Sequence, residues 1–514
     1  MLFGAVGLQM TLSEAQIGAI VKGATEGDKP SVRPLWAVRM RRMLDGLADF
    51  EFRPGRATPL VKLCEAGASY GWRDLEATSN PDLLTSVSPK AKTSLTRDLQ
   101  HSLERLTRPC LDLERTSFGL ALNSIGFLAG PTDPNLTERM FRGDKPSDRL
   151  FSVFEKFPVL ARLWCQLVFQ WREHVTEVLL RFAKDRTALS RAFFGGQPIG
   201  PIAAFQCNLS DSHNHGRTVI QLQFGARAVI YKPRSGDGEW EWGSLLEWMN
   251  AQSFQPKLRT GRVLRRKGYC WMEWIEAAPC ENGAAARRFH ERIGGMIGAA
   301  YLLKAVDCHR DNLIASGEDP VLVDVDALWH VSPATKAQSS LDLLSRTGFL
   351  PNSNPRSLRS RSSVLGGTEA GKHVARIGTN SLSTVQYERE IVEGFSRAWH
   401  CILGTKDRRK VFARRVRRIQ SRKRRWIYLA TEKYAAIRRA SIQAAALRSG
   451  MERHMLIARL CSRSTVGSGV IKREIDALKR LDIPYFLRAS KERIPLDRSN
   501  MPDDVREALR HMLV

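Results

Sequence analysis

Asp307-Cys-His-Arg-Asp-Asn-Leu-Ile-Ala-Ser-Gly-Glu-Asp-Pro-Val-Leu-Val-Asp-Val-Asp326 is the stretch on which the reading of this chain turns. It sets Asp307, His309 and Asn312 in a short loop and follows them with two brief apolar runs. Residues 313–315 and 321–325 read as strands of a hairpin, with the Ser-Gly-Glu-Asp-Pro cluster as its turn. A hairpin returns Asp324 and Asp326 to the neighbourhood of Asn312. Three oxygen-bearing side chains beside a loop Asp and His suit Mg²⁺ and a phosphoryl group. An Asp/Asn-rich turn followed by a core strand accounts for the same residues, and the stretch alone does not separate the two readings.

Upstream, residues 284–305 form a helical pattern with Phe289, Ile293, Ile297, Ala300 and Leu303 on or near one face. Gly294-Gly295 would weaken that helix unless a neighbour packs closely against it. Before it, Gly268 to Ile275 reads as an apolar strand: in a kinase-like layout the link between lobes, otherwise a buried strand rich in aromatics. Earlier still, Asp211-Ser-His213 precedes an alternating run, Thr218 to Phe224, suited to a half-buried strand. Gly225-Ala-Arg turns the chain into a second strand, Ala228 to Lys232. A strand lysine after a polar, Gly-containing turn resembles the lysine that pairs with nucleotide phosphates in kinases. A solvent-facing edge lysine is the plain alternative.

Residues 1–200 look mostly helical, from Ser88 to about Leu122 and from Phe151 to Phe194, with Pro158 near a helix start and connecting loop at Pro131–Pro134 and Gly143–Ser147. Downstream, residues 352–385 are rich in Ser, Arg, Gly and Asn and read as a long loop. The chain is helical again from Gln386. Twelve of the twenty residues from Lys406 to Arg425 are Lys or Arg, by default a solvated basic helix and otherwise an anion-binding face. Near the end, Glu474 to Leu481 reads as a helix stopped before Pro484, with a short extended piece after it.

With 514 residues, 43% of them hydrophobic, the chain has material for two or three packed domains. No apolar run approaches the length of a membrane span, and the first residues lack the basic region of a signal peptide. Nine scattered cysteines point to reduced thiols in a cytoplasmic setting, and no Cys/His spacing makes a zinc site. Lysine and arginine outnumber acids 80 to 53, a net charge of +27, which fits an acidic partner or an arginine-rich coding bias. Sparse aromatic interleaving of the basic block, Phe412 and Trp426 only, argues against nucleic acid.

Seven segments taken together resemble one family. They are Phe157 to Leu163, Ser210 to Arg217, Val229 to Arg234, Tyr269 to Glu273, Asp307 to Asn312, Pro320 to Asp326, and Asp482-Ile-Pro-Tyr-Phe486. Their order and spacing are similar to the dehydratase domain of class II lanthipeptide synthetases, from about residue 90 to the last residue. The resemblance implies an α+β fold, with a lipid-kinase-like two-lobed core (antiparallel sheet lobe plus helical lobe) and large helical N- and C-terminal additions. It divides the chain into a helical region (1–204), a kinase-like catalytic core (205–330), a loop and activation-like region (331–400) and a basic helical region (401–514).

The activity it implies is ATP- and Mg²⁺-dependent phosphorylation of Ser and Thr in a leader-bearing precursor peptide, followed by phosphate elimination. Lys232 would then hold nucleotide phosphates, and Asp307 with His309 would serve phosphoryl transfer. Asn312 and Asp324, with Asp326, would bind the metal. Asp211 and His213 would lie over the phosphates or help elimination, and Arg418 and Arg422 would stabilise the leaving group. Four departures stand out. Arg424 occupies a position where a threonine is expected, Asp326 replaces a glutamate, and Cys270 replaces a glycine. The pattern of a zinc-dependent cyclase is absent from the sequence, so ring closure would require a separate cyclase. The departure at Arg424 leaves a phosphotransferase without elimination as an alternative, and a non-catalytic remnant or binding partner is a further one.

Overall fold

A computed structural model describes residues 35–47, 59–124, 146–330, 339–351, 363–365, 371–464, 466–489 and 501–513. The extreme N-terminus and the loop expected at 131–134 lie outside these residues, as do parts of the loop expected over 352–385. The loop expected at 143–147 does too, except that Pro146 and Ser147 begin a helix.

In chain order the helices are α1 (Leu35–Leu47), α2 (Pro59–Thr78), α3 (Pro81–Leu84), α4 (Pro89–Ser124), α5 (Pro146–Lys156) and α6 (Pro158–Phe193). Strands β1 (Ala204–Gln206), β2 (Ile220–Phe224) and β3 (Arg227–Lys232) precede α7 (Asp237–Ala251), and β4 (Val263–Arg266) and β5 (Tyr269–Glu273) precede α8 (Gly283–Leu302). Then come β6 (Leu313–Ser316), β7 (Asp319–Leu322), α9 (Ser340–Arg346), β8 (Arg376–Ile377), β9 (Asn380–Ser381), α10 (Glu388–Leu403) and α11 (Lys406–Gln420). The chain closes with β10 (Arg424–Trp426), α12 (Thr431–Ala440), α13 (Ala444–Arg448), α14 (Gly450–Cys461), α15 (Ser468–Lys479), β11 (Phe486–Arg488) and α16 (Asp503–Leu513). This is an α+β chain, as expected. None of its described helices is long and apolar enough to cross a membrane, and none of the nine cysteines forms a disulfide.

Two compact units result. The first comprises Met1–Ser79, Thr96–Thr176 and Glu432–Ile483; the second comprises Asn80–Leu95, Glu177–Thr431 and Pro484–Val514. Each unit is discontinuous, and the sequence boundaries at 204, 330 and 400 all fall inside the second.

The first unit is helical because its apolar residues recur at helical spacing and bury one stripe per helix. Leu63, Leu103, Phe157, Leu160, Trp164 and Leu447 share its core. Pro158 opens α6, where its missing N–H costs nothing. The Trp164 indole fills space beside Gly67 and donates to Thr107 Oγ1 at 2.6 Å. Buried Arg453 donates to the carbonyls of Ser441, Lys479 and Leu478, so the last turns of α12 and α15 find donors inside the core.

In the second unit, five antiparallel strands run in the order β1-β2-β3-β5-β4. The β2–β3 hairpin matches the expected one, with Gly225 at φ +59° in its turn. Strand β3 pairs Tyr231 with Trp271 and Lys232 with Cys270, so Lys232 ends a strand enclosed on both sides. Strands β1 and β4 are too short and too polar to be read from the sequence alone. The first four residues of β5 are all buried, which favours the plain reading of this segment as a core strand. Asp185 of α6 accepts from Tyr269 Oη, Trp271 Nε1 and Arg266 Nε at 2.7–2.9 Å, tying the sheet to that helix.

Helix α8 is capped by Asn282, whose Oδ1 accepts from Ala285 N. The five apolar residues expected on its face are all buried. Its glycines do what close packing requires: a Cβ at Gly294 would lie 2.0 Å from the Ile391 carbonyl oxygen of α10. A Cβ at Gly394 would lie equally close to the Glu291 carbonyl oxygen. The two helices therefore cross backbone to backbone, and this crossing sits in the core of the second unit.

Two stacked histidines, His290 buried and His330 half-buried, give the second unit a pH dependence. The His290 ring stacks on Tyr387 with centroids 4.0 Å apart, and His330 stacks on Trp426 at 4.3 Å. Burial lowers both from 6.5 to about 4, and at His330 the nearby Arg346 adds to the effect. Between those values the unfolded chain binds protons that the folded chain refuses. Stability is thus complete above about pH 6.5 and declines toward pH 4, by up to about 3 kcal/mol per histidine. The melting temperature should fall between pH 7 and 4.5, and His290→Phe should flatten the slope. An equal slope in the variant would contradict this assignment.

Candidate functional site

The site is assembled where the end of β3, the start of α7 and the segment after β7 meet. Strands β6 and β7 pair from Leu313 with Leu322 to Ser316 with Asp319, around a two-residue turn with Gly317 at φ +66°. The second strand begins earlier than expected and stops at Leu322, because Val323 N donates instead to the Asn312 carbonyl at 2.8 Å. Asp324 and Asp326 are thereby returned to the neighbourhood of Asn312. Upstream, Val306 N donates to Ala327 O and Cys308 N to Thr347 O, pinning the Asp307 loop on two sides. Asp307 itself takes φ +69°, a left-handed conformation uncommon for a side-chain-bearing residue and concentrated at functional sites.

Lys232 is 4% exposed. Its Nζ lies 2.9 Å from Glu239 Oε1 and 3.6 Å from Asp324 Oδ1. Glu239 belongs to the first turn of α7 and also accepts from both Nη atoms of Arg234, at 2.6 and 3.2 Å. Arg234 further pairs with Asp324 and, through Nε, with Asp326 at 3.5 Å. On the far side, Arg425 Nη1 lies 3.3 Å from Asp307 Oδ2 and 3.5 Å from Asp326 Oδ1. Three cations and four carboxylates form one continuous network.

Burial would raise the Asp324 carboxyl, but Arg234, then Lys232 and Arg425, outweigh it and hold Asp324 well below the usual range. Glu239 is likewise lowered: Arg234 and Lys232 overcome its burial. Asp326 goes the other way, because its burial exceeds what the more distant Arg425 and Arg234 contribute. The loop side chains complete the picture. Asn312 Nδ2 donates to the Asp307 carbonyl at 2.8 Å, which leaves Oδ1 as its acceptor toward a cation. His309 Nδ1 accepts from Asp311 N at 3.3 Å, and its Nε2 lies 3.7 Å from Asp307 Oδ1.

A narrow cleft of about 40 Å³ opens beside this network. Its walls include His213, Arg217, Arg234, Asp324, Arg425 and Tyr485. Arg217 is held by Glu177 at 2.9 Å. Tyr485 Oη donates to Asp326 Oδ2 at 3.3 Å, and its ring lies 5.2 Å from the His213 ring and beneath the Arg425 guanidinium.

No group of three or more His, Cys, Asp or Glu side chains among the described residues forms a protein-only metal cage. Magnesium does not need one, since it commonly takes one or two protein oxygens and completes its shell with water and phosphate. An ionised Asp324, the Asn312 amide oxygen and one surplus carboxylate in the network fit that mode. Asp326 is engaged by Arg234, Arg425 and Tyr485.

Of the residues singled out in the sequence, Lys232, Asp307, His309, Asn312, Asp324 and Asp326 come together, and His213 faces the same cleft. Asp211 does not line the cleft. Neither do Arg418 and Arg422, which turn to α7. Arg418 pairs with buried Glu241 at 2.6 Å and Arg422 with Asp237 at 3.1 Å. The basic block is accordingly not a plain solvated helix. It ends at Gln420, and β10 follows, paired with β11 from Arg424–Arg488 to Trp426–Phe486. Alternation along β10 buries Arg424 and Trp426 on one face and sends Arg425 to the site.

Four contributors were missed in the sequence: Arg234, Glu239, Arg425 and Tyr485. Glu239 carried a signal, an acid seven residues after the strand lysine in a Gly-rich helix start, and Arg234 and Tyr485 lie in two of the segments that carry the family resemblance. Gly238 makes the arrangement possible, since a Cβ there would lie 1.9 Å from the Val325 carbonyl oxygen. Gly238→Ala should cost about 1–3 kcal/mol or more by overpacking. Gly243→Ala, whose nearest neighbour would be 3.7 Å away, should be neutral or stabilising. Equal denaturation midpoints for the two would count against the close approach.

A family model described as a domain of unknown function (DUF4135) matches residues 157–378 and 367–488, more than half of the chain. Over 385 residues, 65% of the chain, the sequence is 22% identical to the lacticin 481/lactococcin biosynthesis protein LcnDR2 of Lactococcus lactis subsp. lactis. The match takes in 41% of that protein, so the chain spans less than half the length of this relative. The comparison agrees with the family resemblance read from the sequence.

Proposed function

Because the chain belongs to the DUF4135 family, and because a strand lysine, a helix glutamate and a loop aspartate meet in one buried network, we propose that it is an ATP-dependent dehydratase of peptide Ser and Thr in lanthipeptide biosynthesis. The observation that carries this reading is the Lys232–Glu239 pair at 2.9 Å beside Asp324. A strand lysine fixed by a helix glutamate is the device by which kinases aim a cation at nucleotide phosphates. The core is read on this basis as lipid-kinase-like.

In the first half-reaction the peptide hydroxyl oxygen bonds to the γ-phosphorus of ATP as the bond to ADP breaks. Asp307 takes the hydroxyl proton, with His309 beside it, and Lys232 holds the donor phosphates. Asn312 and Asp324 would hold a magnesium ion, which supplies charge neutralisation of the phosphates when bound. In the second half-reaction a base removes the α-proton. The freed electron pair forms the Cα=Cβ bond, and phosphate departs from Cβ with the bonding pair. His213, on the cleft wall, would serve as that base, and the arginines that line the cleft, Arg217, Arg234 and Arg425, oppose the charge of the leaving phosphate. The nine cysteines, none of them in a disulfide, fit a cytoplasmic setting.

Incubation with ATP, Mg²⁺ and a leader-bearing Ser/Thr precursor peptide should release ADP and remove one water per modified residue. A stable phosphopeptide as sole product would support a phosphotransferase without elimination. Absence of peptide-dependent ADP release would refute both.

A further inference from the structure

We propose that Arg425 is the guanidinium that captures the phosphate ester formed on the peptide, and that Asp326 and Tyr485 position it for that task. The inference rests on the dehydratase reading above and assigns to this site a residue for retaining the phosphorylated intermediate.

Three observations lead to it. First, Arg425 is the cation nearest the carboxylate that receives the acceptor hydroxyl, at 3.3 Å from Asp307. An oxygen that has just lost its proton to Asp307 and gained a phosphoryl group lies within reach of the same guanidinium. Second, the other cleft guanidiniums are committed at shorter range. Arg217 holds Glu177 at 2.9 Å, and Arg234 holds Glu239 at 2.6 Å. The contacts of Arg425 with Asp307, Asp326 and Thr431 Oγ1 are 3.3–3.5 Å, beyond the 2.7–2.9 Å of strong charge-assisted hydrogen bonds. A phosphomonoester carrying about −1.5 to −2 charge competes well for a cation held so loosely.

Third, Arg425 has a support that makes sense only for an aimed group. Strand pairing of β10 with β11 brings Arg425 and Tyr485 to one place. The phenol donates to Asp326 at 3.3 Å while its ring underlies the guanidinium at 5.7 Å. Asp326 and Tyr485 therefore restrain the guanidinium itself at the cleft wall, with the side chain 13% exposed. Shortening the usual glutamate to Asp326 suits this role, because a carboxylate drawn back toward its own backbone anchors the arginine without entering the cleft.

The test separates transfer from elimination by their products. Arg425→Ala, Arg425→Lys and Tyr485→Phe would each be given ATP, Mg²⁺ and precursor peptide, with ADP release and the ratio of phosphorylated to dehydrated peptide followed in time. A chemically phosphorylated peptide supplied with ADP and Mg²⁺ bypasses transfer and reads elimination directly. Elimination by Arg425→Ala should fall about 100-fold, with free phosphopeptide accumulating. Arg425→Lys keeps a charge between Asp307 and Asp326 and should recover part of the loss, and Tyr485→Phe should shift the ratio the same way by less. Arg425→Ala or Arg425→Lys eliminating phosphate from the phosphorylated peptide at the wild-type rate would overturn the assignment. Wild-type protein that releases no ADP in the presence of peptide would instead overturn the dehydratase reading itself.

Discussion

Alanine at Gly294 is expected to unfold the larger unit well below the wild-type melting temperature, although alanine is the better helix former. Propensity alone favours the substitution by about 1 kcal/mol in a helix interior. Against that, the new Cβ would stand 2.0 Å from the Ile391 carbonyl oxygen and 2.8 Å from the carbonyl carbon. Neither atom can turn aside as a side chain would, so α8 and α10 must part along their whole crossing. Overpacking of a core costs about 1–3 kcal/mol when side chains can adjust, and a backbone-on-backbone clash belongs at or beyond the upper end. Because α8 hands the chain to Asp307 within five residues of its end, the site should loosen with it. Calorimetry on Gly294→Ala, with Gly283→Ala as a contrast, checks this. Gly283 has open space at its Cβ and should show a small gain. Equal melting temperatures for the two variants would mean that the helices are not in backbone contact.

Lys232→Met should remove peptide-dependent ADP release by about 100–1,000-fold, the usual consequence of deleting one preorganised donor to developing negative charge. Its effect on folding should be smaller than its burial suggests. Breaking a buried ion pair costs about 3–5 kcal/mol when the partner is left unpaired. Glu239 keeps Arg234 at 2.6 Å, so it is not abandoned. Lys232→Arg is no conservative alternative, since this buried position holds a compact point charge and arginine presents a planar fork. Titration calorimetry with Mg·ATP and ADP release together separate lost phosphate binding from lost structure. Lys232→Met with ADP release near the wild-type level would remove Lys232 from the mechanism.

Most of the candidate site was legible because it is built from contiguous signals. An alternating run, a Gly turn and a terminal lysine announced the β2–β3 hairpin, and a Gly/Pro cluster announced β6–β7. The spacing of Asp307, His309 and Asn312 needed no tertiary knowledge, since all three lie in one tight loop. The glycine pair in α8 was legible as a demand for close packing, though not as to which helix would meet it. Strands β1 and β4 were missed because three or four residues of mixed polarity carry no usable period.

The sequence by itself determined which residues could do chemistry here: hairpins, helices and a loop whose local patterns are satisfied within a few residues of one another. Tertiary structure alone decided which charges face the cleft. In Arg422-Lys423-Arg424-Arg425 every residue is basic, so no local preference distinguishes them. The pairing of β10 with a strand some sixty residues later selects Arg425, because alternation along a strand places neighbours on opposite faces. The same holds for Glu239, which counts only because Gly238 lets its helix touch the Asp324–Asp326 backbone. Local order follows from short-range sterics and hydrogen bonding, whereas the partners of a charge are set by what the fold brings against it.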